Sequence, residues 1–241
     1  GVRLATAKRG GVTVTRVEIT REGLARPRGR YVTLEMPSVS VLDERDTDVI
    51  ETGAAELRAL LPPEGPVLVL GIGNRRVTAD ALGPRTAQKI LVTMGPQHTL
   101  PVRGIRPVAA LAPGVSGDTG LTLRQLAAAM VDAVRPAALI CVDSLCSAEA
   151  ARLGRTIQFS DTGLHPADAR HARHLDAAAL GVPVIAAGIP TLMDADEGAD
   201  LVLTPRALDS VIAHGSALLA GILNRALQPR LSVAQLCWLT G

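Results

Sequence analysis

Four short apolar runs constrain the fold of this chain more than any other feature of its sequence. They are VLVLGI at 67–72, RPVAALA at 106–112, AALICV at 137–142 and VPVIAAGI at 182–189. A strand with one solvent-exposed face alternates apolar and polar residues, whereas unbroken apolar runs are typical of strands whose two faces are both buried. Helical patterns separate the runs. The sequence therefore predicts an α/β fold, a three-layer α/β/α domain with a mostly parallel central sheet.

The segments around these runs predict an N-terminal β-hairpin and several helices. VTVTRVEI at 12–19 and YVTLEM at 31–36 alternate as hairpin strands do, and a change of phase at Thr15-Arg16 predicts a bulge. Helical spacing predicts helices over 46–61, 81–92 and 122–134, the last opened by a capping box of Thr122 and Gln125. We expect one domain over 1–241, with a hairpin region at 1–45, an α/β core at 46–203 and a C-terminal helix at 204–228.

Composition argues against several classes of protein. The 25 basic and 23 acidic residues give a net charge of +2 without a basic stripe, so nothing points to nucleic acid. Cys141, Cys146 and Cys237 are odd in number and lack C-x-x-C spacing, which disfavours a disulfide framework and a zinc site. No apolar run approaches the roughly 18 residues of a membrane span, and no secretory leader is visible, so we expect a soluble intracellular protein.

The stretch VLGIGNRRVTADALGP at 69–84 combines glycines with an acidic residue. Gly71 and Gly73 resemble the start of a phosphate-binding turn, but Arg76 stands where the third glycine of a dinucleotide fingerprint belongs, and no P-loop follows. Asp80 near the helix start would also repel a phosphate held there. Asp80 is therefore either a residue favoured by the helix dipole or part of a site that holds no phosphate.

A second aspartate has a similar placement. Asp143 closes the third apolar run, and sites in doubly wound sheets form outside the carboxyl ends of strands. If the first and third runs are parallel neighbours, Asp80 and Asp143 converge. Two carboxyls there can share one proton and act as base and acid on a water, or they can be oxygen ligands for a metal. Asp161 and Asp194 also end apolar runs, so four aspartates compete for two positions.

Other side chains offer weaker signals. His165 in DTGLHP can join such a site, although a single loop histidine is more often solvated. His171 and His174 are three residues apart, a spacing that suits a metal on a helix, but no third ligand stands at a sensible spacing. No G-x-S-x-G is present, and Cys141 is expected in the core, so serine and thiol catalysis are disfavoured.

Several stretches, in order along nearly the whole chain, match a known family. They are GVTVTRVEITREG, GRYVTLE, GIGNRRVTADALGP, RPVAALAPGVSGDTGLT, TIQFSDTGLHP, GVPVIAAGIPTLMDA and LTPRALDSVIAHGSALLAGILNRAL. In these stretches the chain resembles the germination proteases of spore-forming bacteria, endopeptidases that degrade small acid-soluble spore proteins when a spore germinates. The long G-x-G-N-x-x-V-T-x-D-A-L-G-P block is the most specific of the matches.

The resemblance implies an atypical aspartic peptidase, distantly similar in fold to the hydrogenase maturation proteases. By motif match the two catalytic aspartates fall on Asp80 and Asp143, and the supporting candidates are Asn74, Asp161, His165 and Asp194. It implies no cofactor. The alternative is a divalent metal bound by Asp80, Asp143 and His165, because the hydrogenase maturation relatives place acidic nickel ligands at the equivalent strand ends.

The resemblance also implies synthesis as a zymogen, a homo-oligomer, and a cytoplasmic location in the spore core. The chain departs from the family in three places: DSLCSA replaces D-A-L-A-A-R around Asp143, the stretch after DTGLHP is shorter, and a segment near 198–203 is nearly missing. These departures leave a third interpretation open, a catalytically inactive relative that binds spore proteins.

Overall fold

A computed structural model describes residues 1–95, 104–165, 174–194 and 202–240, except for the side chain of Asp194. The described residues form nine strands in one mixed sheet. The strands are β1 (Val2–Arg9), β2 (Val12–Ile19), β3 (Gly29–Glu35), β4 (Val67–Gly71), β5 (Val108–Leu111), β6 (Ala138–Cys146), β7 (Thr156–Ser160), β8 (Val184–Asp194) and β9 (Val202–Leu203). The helices are α1 (Thr47–Leu60), α2 (Leu82–Ala87), α3 (Ser116–Thr119), α4 (Leu123–Val134), α5 (Ala177–Leu180), α6 (Leu208–Leu227) and α7 (Val233–Thr240).

The strand order places the four apolar runs at the centre of the fold. The order is β1-β2-β3-β7-β8-β6-β4-β5, with β9 beside the end of β8. Strands β5, β4, β6 and β8 pair in parallel, and each corresponds to one of the four runs. Strand β7 is antiparallel to both of its neighbours and connects this parallel part to the N-terminal strands. The predicted three-layer α/β fold is confirmed.

Alternate residues of the central strands build a core on each face of the sheet. Val67 and Val69 belong to a larger cluster with α1 and α6, whereas Leu68 and Leu70 belong to a smaller one with α4. This is why the runs lack polar alternation. Helix α6 is long and apolar enough to cross a membrane, which corrects the expectation that no segment reaches that length, but 67% of that stretch is buried inside the protein. Its apolar composition matches its position in the core.

The N-terminal region holds one strand more than predicted. Strand β1 pairs with β2 along its whole length through a turn at Gly10 and Gly11, whose φ angles are 52° and 78°. A Gly-Gly pair is a hairpin signal that was available in the sequence. The bulge predicted at Thr15-Arg16 is wrong, since β2 keeps an unbroken register with both neighbours. The polar residue interrupts the pattern because the Arg16 guanidinium pairs with Glu56, a buried residue of α1.

Two helices differ in length from their predictions. Helix α2 stops at Ala87 instead of continuing to residue 92. The Asn224 side chain of α6 accepts the N–H of Leu91 at 2.9 Å and donates to the carbonyl of Lys89 at 2.9 Å, which fixes a non-helical path there. Helix α6 begins at Leu208, four residues later than predicted. The capping box that opens α4 is confirmed.

Candidate active site

Parallel pairing of β4 with β6 brings Asp80 and Asp143 together. Gly71 at the end of β4 lies opposite Val142, and the next residue, Ile72, donates its N–H to the Val142 carbonyl at 2.8 Å. Asp143 follows directly in β6, and the chain after β4 returns through a 3₁₀ turn at Thr78–Asp80. The charge of Asp80 acts on the Asp143 carboxyl, so the two side chains share one electrostatic environment.

Glycines make this close approach sterically feasible. Gly73 has a φ of +122°, and a Cβ atom there would lie 2.1 Å from the Asp80 carbonyl oxygen. A Cβ atom on Gly83 would lie 2.2 Å from the Ile72 carbonyl oxygen and 2.3 Å from that of Val142. Real Cβ contacts do not occur at such distances. The glycines of the block therefore let the start of α2 pack directly on the ends of β4 and β6, and this packing positions the Asp80 turn.

The Asp80 turn is held from two sides. The Asn74 N–H donates to Asp80 Oδ2 at 2.7 Å, while the Asn74 side chain accepts the N–H of Arg76 at 2.9 Å. From β8, the fully buried Thr191 hydroxyl donates to the carbonyl of Ala79 at 2.9 Å. Asn74 thus contacts Asp80 through its backbone, and its side chain shapes the loop. Thr191 was not singled out in the sequence, because its contact spans 112 residues.

Burial gives the two carboxyls higher pKa values than an exposed aspartate has. The pKa of Asp143 is raised to about 8, mainly by burial and in addition by the Asp80 charge, against the hydrogen bond from the Ser144 N–H, which lowers it. Burial also raises the pKa of Asp80, against the Asn74 N–H, which lowers it. Near neutral pH the pair therefore holds one proton, mainly on Asp143. Burial and the Asp143 charge raise the pKa of Cys141, so its thiol stays protonated.

A cleft of about 660 Å³ opens at Asp143. Its wall includes Asp143, Ser144, His165 and Tyr31, and it does not include Asp80, which is itself partly exposed. The Ser144 hydroxyl oxygen is buried without a hydrogen-bond partner among the described residues. Sequence reasoning did not single out Ser144, although the departure DSLC places this hydroxyl directly after Asp143. The cleft has the size of a ligand-binding pocket, and one of the two carboxyls, that of Asp143, lies in its wall.

The remaining predicted residues have different surroundings. Asp161 accepts two hydrogen bonds from Arg30, at 2.6 and 2.7 Å, and so ties the end of β7 to β3. Asp194 ends β8, and its side chain lies outside the described residues, as does all of His171. His165 lines the cleft, where its Nε2 donates to the Thr162 carbonyl at 2.8 Å.

The proposed alternative metal ligands do not gather in one group. Among the residues that the structure describes, the group of three ligand-type side chains close enough to hold a metal contains His165, His174 and Asp176. Asp80 and Asp143 are not part of it. His165 therefore belongs to a cluster separate from the two aspartates.

The raised pKa of Asp143 predicts a pH-dependent difference in stability between the parent and Asp143→Asn. The unfolded chain releases this proton near pH 4 and the folded chain near pH 8, so the stability that the group contributes is complete below pH 4 and is lost as the pH rises to 8. Asparagine removes the buried charge. We expect Asp143→Asn to be more stable than the parent by about 2 kcal/mol or more at pH 8, and by much less at pH 5.

Urea unfolding of both proteins at pH 5, 6.5 and 8 measures this difference. The matched control is Asp132→Asn, on the exposed side of α4, which is expected to show no such trend. A difference for Asp143→Asn that is constant across the pH range contradicts the raised pKa.

The chain is similar in sequence to known proteins. A family model described as germination protease matches residues 1–197. The chain is 32% identical to the germination protease of Clostridium perfringens (strain SM101 / Type A), with 91% of this chain and 86% of the relative covered. It is 40% identical to that of Caldanaerobacter subterraneus subsp. tengcongensis, with 81% and 64% covered. Among solved structures, the [NiFe] hydrogenase maturation protease HycI from Thermococcus kodakarensis is similar, with a TM-score of 0.47, 17% identity, and 71% and 98% covered.

Proposed function

Since the chain belongs to the germination protease family and is an endopeptidase that acts on proteins, we propose that it hydrolyses small acid-soluble spore proteins during spore germination. We further propose that Asp80 and Asp143 are the catalytic pair. The observation that carries the proposal is the shared environment of the two carboxyls, of which Asp143 is kept protonated in the wall of the cleft. Two carboxyls with separated pKa values provide a base and an acid in one site.

The two carboxyls have distinct roles in the proposed mechanism. The Asp80 carboxylate, stabilised by the Asn74 N–H, accepts a proton from a water molecule, and the water oxygen bonds to the scissile carbonyl carbon. Asp143 gives its proton to the carbonyl oxygen as the tetrahedral intermediate forms. When the C–N bond breaks, Asp80 passes its proton to the leaving amine, and the intermediate returns a proton to Asp143. The pair ends in its starting protonation state.

The family supports further expectations about the setting. We place the protein in the cytoplasm of the spore core, where its substrates are, and we propose synthesis as a zymogen and assembly as a homo-oligomer. Trp238 on α7 is 84% exposed, and β1 presents Val2 and Leu4 at the edge of the sheet. These apolar surfaces are available for contacts between copies of the chain.

Cleavage of a purified small acid-soluble spore protein, followed by intact-mass spectrometry with and without EDTA, tests the proposed function. We expect cleavage at one or a few defined peptide bonds, at the same rate with and without EDTA. Casein is the control substrate, because it is also an unfolded chain, and we expect no comparable cleavage of it. No cleavage under any condition indicates a zymogen or an inactive relative, and stoichiometric binding of the substrate without cleavage identifies a relative that binds without cutting. Cleavage that stops with EDTA and returns with one metal identifies a metal-dependent peptidase.

A further inference from the structure

Three metal-ligand side chains meet at one side of the cleft. One ligand-type atom from each of His165, His174 and Asp176 lies within 4.8 Å of the other two. The imidazole rings of His165 and His174 are 4.7 Å apart between centroids and inclined at 71°. All three residues are partly buried, and His165 also lines the cleft. The cluster plays no part in the proposed peptide hydrolysis.

The backbone explains why these residues meet. Leu164 and Leu175 form an antiparallel β-bridge, with N–H···O distances of 2.9 and 3.1 Å in the two directions. Residues that flank such a bridge face each other, so His165 lies opposite His174. Asp176 follows His174 by two residues and therefore projects to the same side. A pair of backbone hydrogen bonds thus fixes the positions from which the three side chains start.

Space beside Asp176 comes from a glycine. Gly163 has a φ of +82°, and a Cβ atom there would lie 2.8 Å from the Asp176 Cα atom and 2.2 Å from the Leu175 carbonyl oxygen. Any larger residue would push the two segments apart. The close approach of the segments, and with it the cluster, depends on this position.

The hydrogen bonds around the cluster orient its donor atoms. A carbonyl oxygen can only accept a hydrogen bond, so His165 Nε2 carries the proton and donates to the Thr162 carbonyl. In a neutral imidazole the lone pair that can bind a metal is then on Nδ1. Metal-binding histidines are commonly oriented by such a contact to a backbone carbonyl. Asp176 Oδ1 accepts the N–H of Ala179 at 2.8 Å at the start of α5, which fixes the orientation of the carboxylate, and Oδ2 is its other possible ligand atom.

We propose that His165, His174 and Asp176 bind a divalent first-row transition metal ion, with Zn²⁺ as the best match. Two imidazoles and one carboxylate are a common zinc ligand set that keeps a coordination position open. Tetrahedral zinc with bonds of about 2.05 Å needs ligand atoms about 3.3 Å apart, which side-chain rotation supplies from the observed spacing. The ion joins the two ends of segment 166–173 and fixes the His165 side of the cleft.

Isothermal titration with Zn²⁺, together with the visible absorption of bound Co²⁺, tests the site without any use of peptidase activity. We expect one ion per chain, and at least about 100-fold weaker binding in His174→Ala. Asp176→Asn keeps an acceptor for the Ala179 N–H and is also expected to bind more weakly. His214→Ala removes an exposed histidine elsewhere and serves as the matched control, with parental affinity expected. Circular dichroism checks that each variant is folded.

Asp143→Asn distinguishes this site from a metal at the carboxyl pair. Zinc binding by this variant with the parental affinity is expected and separates the cluster from the proposed catalytic residues. Loss of binding in Asp143→Asn, equal binding in His174→Ala, or no stoichiometric binding by the parent overturns the proposal. Binding of Mg²⁺ in preference to Zn²⁺ also overturns it, because magnesium prefers all-oxygen ligand sets.

Discussion

Replacement of Asp143 by asparagine is expected to lower kcat for cleavage of a small acid-soluble spore protein by about 100- to 10,000-fold, because positioned proton transfer contributes about that much to rate. Asparagine has the same shape and still accepts the Ser144 N–H, but it has no acidic proton to give to the scissile carbonyl oxygen. The variant also lacks the buried charge that burial penalises, so it is expected to be at least as stable as the parent. Lost cleavage can then not be attributed to unfolding.

Single-turnover cleavage followed by mass spectrometry measures this effect. Asp80→Asn is expected to cause a loss of similar size, since it removes the base, whereas the exposed Asp132→Asn is expected to cut at the parental rate. Parental activity is further expected to fall as the pH rises through about 8, where Asp143 loses its proton. Cleavage by Asp143→Asn at the parental rate would refute the two-carboxyl mechanism.

Gly83→Ala is expected to destabilise the protein by about 3 kcal/mol or more, a large effect for one added methyl group. The added Cβ atom would lie 2.2 Å from the Ile72 carbonyl oxygen, 2.3 Å from that of Val142 and 2.6 Å from the Ile72 nitrogen. All three are backbone atoms of the sheet or its end, so no side chain can rotate away. Helix α2 must move outward, and the adjoining Asp80 turn moves with it. Any folded fraction should therefore cleave poorly as well.

Urea unfolding compares Gly83→Ala with Gly117→Ala. Gly117 lies in α3, where a Cβ atom would meet nothing within 4 Å, so its substitution is expected to leave stability unchanged or to raise it by up to about 1 kcal/mol. The pair separates steric conflict from the general effect of replacing glycine in a helix. Equal stability of both variants would show that the start of α2 does not need a glycine at position 83.

The features that could be predicted from the sequence are those set by residues close together in the chain. Burial on both faces removes polar alternation, so the four parallel strands were recognisable as apolar runs. The family block placed Asp80 after the first of these strands. Strand β1 was missed because most of its side chains are exposed and give no apolar pattern, and only the Gly10-Gly11 turn indicated it.

The features that escaped prediction depend on contacts between distant segments. Asp161 resembles a site residue in sequence, but its partner Arg30 is 131 residues away and becomes a neighbour only through the pairing of β3 with β7. The cluster around His165 depends on one isolated bridge, which has no periodic pattern. Asp176 was therefore not recognisable as the third ligand, although it stands only two residues after His174.

The pairing of β3 with β7 has a consequence for synthesis of the chain on the ribosome. Strand β3 ends at Glu35 and β7 begins about 120 residues later, at Thr156. At about 5–20 residues per second, roughly 6–24 seconds pass before the partner strand is translated. During that interval the nascent meander of β1, β2 and β3 carries an open edge, with unpaired N–H and C=O groups that another nascent chain can pair with. Until β7 pairs with β3, this edge is therefore a surface through which neighbouring nascent chains on one polysome can associate.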